Sequence, residues 1–146
     1  MIFVTVGTGR FEKLVKEADR LGEKIKEKII IQKGDFEYNL KNSEGFGFTD
    51  NFDKFVKEAR IIISHGGAGT IFALLNKNKK IIAVANLRRI DEHQKEILEK
   101  LEEHNYLIYC KDFNLLECIK KAKKFKFKKY KKPFCKIDKK IIEFLD

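Results

Sequence analysis

Arg60-Ile61-Ile62-Ile63-Ser64-His65-Gly66-Gly67-Ala68-Gly69-Thr70 is the stretch on which the fold turns. Ile61 to Ile63 is an unbroken apolar, β-branched run. A strand with one wet face alternates apolar and polar residues, so a continuous run marks a strand covered on both faces. Glycines follow at once, and a short helix over about 70–77 comes next. Strand, glycine turn and helix form the repeating unit of a parallel α/β sheet.

The same unit recurs on either side. Upstream, residues 2–6 form a first strand, and Phe11, Leu14, Val15, Ala18 and Leu21 follow at helical spacing. Residues 29–32 are a second buried strand, punctuated by Lys33-Gly34-Asp35. Residues 36–45 read as a loop or weak strand, and Gly45 to Thr49 as a short extended piece. Phe52, Phe55, Val56 and Ala59 mark a helical face. Downstream, Lys80 to Ala85 is a strand, and residues 91–104 a helix with Asp91 as N-cap. Leu107 to Cys110 is the last strand. Residues 112–123 form a helix with Leu115, Leu116, Ile119 and Ala122 inward. The expectation is one Rossmann-like α/β domain over residues 1–123, with a mostly parallel sheet of about six strands and helices on both faces. Residues 124–146 add a basic, aromatic tail and a short amphipathic helix at 136–145.

Bulk properties narrow the class. The chain has 146 residues, 43% of them apolar, and a net charge of +10. No run approaches the ~20 apolar residues that span a bilayer, and the apolar start is too short for a secretory signal. A cytoplasmic protein is expected. Cys110, Cys118 and Cys135 are odd in number and lack a C-x-x-C pair, which argues for reduced thiols and against a disulfide framework or zinc site. The positive charge suits phosphate-bearing ligands, nucleic acid or an anionic membrane, and equally a plain solvated surface.

Ligands of open α/β sheets bind beyond the carboxyl ends of the strands. His65, Gly66, Gly67, Ala68, Gly69 and Thr70 lie at such an end, where a helix start offers unpaired N–H groups to an anion. The turn is neither a P-loop, lacking G-K-[ST], nor a dinucleotide fingerprint, lacking G-x-G-x-x-G. Its glycines fit a phosphate or merely a tight strand–helix junction. Gly7 and Thr8 follow the first strand, Gln32 and Gly34 the second, and Asn86 the strand at 81–85; His93 and Gln94 open the next helix. Polar and glycine residues thus collect at one sheet edge, as in a concave binding site. Taken one by one, Gln32, Asn86 and Gln94 also suit ordinary loop or cap roles.

Ile2 to Thr8, Ile31-Gln32-Lys33-Gly34, Ala59 through Thr70, and Asn86 with His93-Gln94-Lys95-Glu96 together resemble the C-terminal domain of glycosyltransferase family 28. The resemblance extends to the small single-domain subunits of two-part UDP-sugar transferases and covers roughly residues 2–110. It implies half of a GT-B fold that binds a nucleotide sugar. Gly66 to Thr70 and His65 would lie against the diphosphate, Asn86, His93 and Gln94 near the sugar, and Gly7, Thr8, Gln32 and Gly34 along the cleft. It further implies a UDP-sugar as substrate, no cofactor and no metal. The implied partner is a membrane-associated subunit that binds a lipid-linked acceptor and supplies the catalytic base. That pairing would hold the chain at the cytoplasmic face of a membrane. The family usually carries a glutamate for the ribose hydroxyls three residues after the threonine. Here that position is Ala73.

The tail, Lys123 to Phe134, interleaves bases with aromatics. This pattern suits an anionic membrane surface, single-stranded nucleic acid, or an extended segment that buries its rings. Three other functions stand beside the transferase reading. Ala73 favours a non-catalytic, nucleotide-sugar-binding regulatory subunit. The net charge favours an RNA-binding domain, though no RNP or KH signature is present. A UDP-sugar epimerase relative would normally carry both domains in one chain.

Overall fold

The computed structural model describes residues 1–7, 9–86 and 92–131. Thr8, Asp91, Cys135 and the helix expected at 136–145 lie outside the described residues. The elements run β1 (Ile2–Thr5), α1 (Glu12–Leu21), β2 (Ile29–Gln32), β3 (Glu44–Phe46), α2 (Phe52–Glu58), β4 (Ile61–His65), α3 (Ala68–Asn76), β5 (Ile81–Val84), α4 (Glu92–Glu103), β6 (Ile108–Tyr109) and α5 (Leu115–Lys124). The six strands form one sheet in the order β3-β2-β1-β4-β5-β6. Every pairing is parallel.

The continuous apolar runs have a direct cause. Successive strand residues point to opposite faces, and both faces are covered. Ile2, Val4, Ile31, Ile61, Ile63, Ile82 and Val84 pack under α1 and α5. Phe3, Ile30, Ile62, Ile81 and Ala83 pack under α2, α3 and α4. Phe3 anchors the second layer, with its ring stacked on Phe55 at 5.5 Å and edge-on to Phe52 at 5.6 Å. The order reverses direction at β1 and β4, because the chain leaves β1 towards β2 and returns to the other side with β4. A crevice between the loops after β1 and β4 follows from that topology.

The edge strand β3 is only three residues long and largely exposed. It is held in place by a buried carboxylate on α1. Asp19, 2% exposed, accepts from the Lys41 N–H at 3.0 Å, the Asn42 N–H at 3.0 Å and the Ser43 hydroxyl at 2.6 Å. Burial works to raise its pKa, but the Ser43 hydroxyl and the two backbone N–H groups outweigh it and the pKa is lowered.

One expectation is corrected. Cys110, just after β6, meets Cys118 on α5 with the Cα atoms 6.2 Å apart, and the two form a disulfide rather than free thiols. The pair is joined across a loop and a helical turn, a closure that C-x-x-C spacing does not register. The first part of the tail takes the third of the forms open to it, an extended segment that buries its rings. Phe125 and Phe127 lie against the α1/α5 layer, the Lys128 N–H donates to the Asn105 carbonyl at 2.8 Å, and Tyr130 is buried in the opposite layer. Its lysines remain exposed.

Candidate functional site

Parallel pairing puts all six strand ends on one edge. Thr5 is level with Gln32 on one side and Ser64 on the other, and His65 is level with Val84. Gly7, Gly34, the 66–70 turn and Asn86 therefore emerge together, as expected.

His65 organises the crevice between β1 and β4. The Gly67 N–H donates to its Nδ1 at 3.1 Å, and its Nε2 lies 3.3 Å from the Thr70 hydroxyl oxygen. With Nδ1 accepting, the ring proton sits on Nε2 and is directed at Thr70. Burial lowers the His65 pKa, so the ring is neutral at pH 7. Thr70 Oγ1 then accepts from the ring and keeps its own hydroxyl hydrogen for a further acceptor. The histidine thus supports the turn from behind. Both of its nitrogens are engaged by the chain.

The glycines of the turn divide by cause. A Cβ on Gly67 would lie 2.2 Å from His65 Cε1, and one on Gly7 would lie 2.2 Å from His65 Nε2. The imidazole is wedged between these two backbones, and neither position has room for a side chain. A Cβ on Gly66 would meet Leu98 of α4 at 2.9 Å. Around Gly69 a Cβ would meet nothing within 4 Å. Packing inside the chain explains the first three glycines but not the fourth. Gly69 lies in the first turn of α3, whose N–H groups at Ala68, Gly69 and Thr70 have no acceptor four residues back within the helix. A positive dipole end, N–H groups without helical acceptors and the Thr70 hydroxyl give this end of α3 the chemistry to attract an anion. Ala73, one turn on from Gly69, is exposed on the same face.

The surrounding residues fall into two groups. Gln32 is 7% exposed, and its Oε1 accepts from the Thr5 hydroxyl at 2.5 Å, while the Gly7 N–H donates to the same hydroxyl at 3.1 Å. It braces the loop after β1 from within. Gly34 has a φ of +65°, and a Cβ there would lie 2.5 Å from the Gly9 carbonyl, so it too serves the close approach of two loops. Asn86 donates to the Arg10 carbonyl at 3.3 Å and ties the end of β5 to the start of α1. His93 and Gln94 belong to the first turn of α4, and His93 lies 3.9 Å from Glu96. Gln94 sits one turn before Leu98, the residue that faces Gly66. Sequence reasoning missed Thr5, whose hydroxyl joins Gln32 to Gly7. A hydroxyl inside an otherwise apolar strand was the available signal.

Among the described residues, one grouping has metal-ligand chemistry: Cys110, Asp112 and Cys118, with ligand atoms within 4.8 Å of one another. Its sulfurs are bonded to each other, so it does not constitute a ligand set. No helix among the described residues is long and apolar enough to cross a membrane.

Known proteins with similar sequences and folds point the same way. The chain is 30% identical over 136 residues to a human protein named UDP-N-acetylglucosamine transferase subunit ALG13, covering 84% of this chain and 12% of that one. It is 33% identical over 113 residues to the protein of that name from Saccharomyces cerevisiae, covering 70% and 55%. The chain therefore spans about half or less of these relatives. An NMR solution structure of ALG13 superposes with a TM-score of 0.63 at 24% identity, covering 88% of this chain and 87% of that one. The glycosyltransferase SnogD from Streptomyces nogalater gives 0.65 at 15% identity over 83% of this chain and 34% of that one, which bears on the fold alone. The glycosyltransferase family 28 C-terminal domain matches residues 1–144, and the chain belongs to that family.

Proposed function

We propose that this chain is the donor-binding subunit of a heteromeric inverting glycosyltransferase. It would hold a UDP-sugar, N-acetylglucosamine or a related hexose, for transfer to a lipid-linked acceptor. The observation that carries the reading is Gly69, an unfilled glycine in the first turn of α3 beside the Thr70 hydroxyl. The names of the relatives agree with it. A GT-B transferase works between two domains of this kind, and this chain supplies one sheet. The second half, with the acceptor site and the base, belongs to a partner subunit at a membrane.

In this reading the diphosphate lies on the α3 N-terminus. The acceptor hydroxyl attacks the anomeric carbon from the opposite side, and its proton passes to a base on the partner. The C–O bond to the diphosphate breaks as the new bond forms, with inversion. Charge builds on the leaving diphosphate, where the N–H groups of α3 and the Thr70 hydroxyl stabilise it. No metal enters the scheme. His65 acts through Thr70 and the turn rather than on the sugar, and His93 and Gln94 are the side chains offered to the sugar hydroxyls.

Calorimetric titration with UDP-N-acetylglucosamine, UDP-glucose, UDP-glucuronate and UDP tests the site. Saturable binding that is lost in Thr70→Ala is expected. Absence of binding both to the isolated chain and to its co-expressed complex would refute the reading. Ala73 favours a second reading, a regulatory subunit that binds nucleotide sugar without turnover. A reconstituted complex that binds donor but transfers nothing would establish it.

A further inference from the structure

An open groove of about 630 Å³ lies on the α1 side of the same sheet edge. Of its lining residues only Asn86 is shared with the candidate donor site, and none of its cations belongs to it. One wall is the outer face of α1, where Lys13, Lys16 and Arg20 recur at roughly helical spacing, with Arg10 just before the helix. The opposite side is formed by Phe113, held in the left-handed region at φ +62° in the loop closed by the Cys110–Cys118 disulfide. The floor is Ala85 and Asn86, and Asn86 is hydrogen-bonded to the Arg10 carbonyl, which joins the groove to the loop after β1.

The charges in the groove are unevenly compensated. Arg10 pairs with Glu12 at 2.5 Å and Arg20 with Glu17 at 3.0 Å. Arg10 also lies over the Phe36 ring at 5.4 Å, whereas the two lysines have ring contacts and no carboxylate pairing among the described residues. The Lys13 ammonium sits 4.4 Å from the centre of Phe113, and that of Lys16 sits 5.7 Å from the centre of Phe36. A ring face orients an ammonium but does not neutralise it. The result is a concave surface with four cations and two carboxylates already engaged by arginines, in which Phe113 of the lining holds the Lys13 ammonium and Phe36, beside the groove, lies under Lys16. Fixed cations in a concavity focus potential on an incoming anion.

We propose that this groove is a second anion site, which binds a phosphate-bearing ligand through Lys13 and Lys16. The phosphate would come from a free diphosphate or from a lipid headgroup. The inference does not rest on the donor reading, because its residues are separate from the turn at 66–70.

The test is the full chain titrated with inorganic pyrophosphate and, separately, with phosphatidylcholine vesicles with and without phosphatidic acid. The double variant Lys13→Gln/Lys16→Gln should weaken at least one of the two interactions by about tenfold or more. Loss of pyrophosphate binding identifies a free diphosphate, and loss restricted to acidic vesicles identifies a headgroup. Two controls keep the result specific. The loss should persist in a Thr70→Ala background, which separates the groove from the α3 site. Lys57→Gln/Lys100→Gln, which removes two exposed charges elsewhere, should have little effect. An equal loss in that control variant, or unchanged binding in Lys13→Gln/Lys16→Gln, would overturn the proposal.

Discussion

The imidazole of His65 occupies the space that a side chain on Gly67 would need, while its Nδ1 accepts the Gly67 N–H. One residue therefore dictates the identity of its neighbour by volume and its conformation by a hydrogen bond. With Gly7 on its other side, His65 also fixes the distance between the loops after β1 and β4.

Substitution of the glycines should separate folding from binding. Gly67→Ala and Gly7→Ala push a methyl group into the His65 ring and should each destabilise by about 1–3 kcal/mol. Gly7, at φ +70°, carries an added backbone cost. Gly69→Ala should leave stability unchanged or raise it by up to about 1 kcal/mol, since alanine favours a helix. Yet it should weaken nucleotide-sugar binding about tenfold or more by standing where the diphosphate approaches. Urea denaturation and calorimetry on the same three variants give the two readouts.

His65 also predicts a pH response. Its folded pKa lies below the usual histidine value because burial disfavours the charged ring. The unfolded chain then binds the proton more readily, so the stability tied to His65 is complete above about pH 6.5. It is lost progressively as the pH falls from there through the depressed folded value. Denaturation midpoints measured between pH 8 and 5 should fall on the acid side, and His65→Gln should flatten that part of the profile.

A lower window belongs to Glu27. Hydrogen bonds from Arg60, at 3.0 Å from Nε and 2.5 Å from Nη2, hold its pKa at about 2. The stabilisation is complete above the unfolded carboxylate range and disappears as the pH falls through the folded value. The pair is partly exposed, so solvent screening leaves an expected contribution of about 1–2 kcal/mol. Glu27→Gln should lower stability by that amount at pH 7 and by much less at pH 2.5, as read by thermal unfolding.

Ala73 offers a gain-of-function test. It is exposed one turn beyond Gly69, where a longer acidic side chain has room and family members use one. Ala73→Glu should tighten binding of UDP-sugars about tenfold or more through charge-assisted hydrogen bonds to the ribose. Inorganic pyrophosphate, which has no ribose, should not share the gain. Tightening of both would assign the effect to something other than ribose recognition.

The strand–turn–helix units were legible because their signals are local. Ile61 to Ile63 is apolar without interruption, since α1 and α5 cover one face and α2, α3 and α4 the other. The gathering of Gly7, Gly34, Gly66 to Thr70 and Asn86 at one edge followed from parallel topology. The role of each glycine did not, because it depends on what lies across a gap in space. Nothing local to Gly67 or Gly69 distinguishes the one filled by His65 from the one left open. Asp19 was illegible for the same reason. An aspartate in a helix reads as solvated surface until residues 41–43 close over it. The Cys110–Cys118 contact needed the loop after β6 to fold back, and eight residues of separation encode no such return.

The strap at residues 125–130 has a temporal consequence. Phe127 closes one layer, and three residues later Tyr130 closes the other, against Phe72 and Tyr106. During synthesis neither hydrophobic layer can be sealed until this segment has left the ribosome, although every strand of the sheet has by then emerged. A released chain that ends shortly after α5 should therefore engage chaperones, and one that extends past Tyr130 should be freed from them.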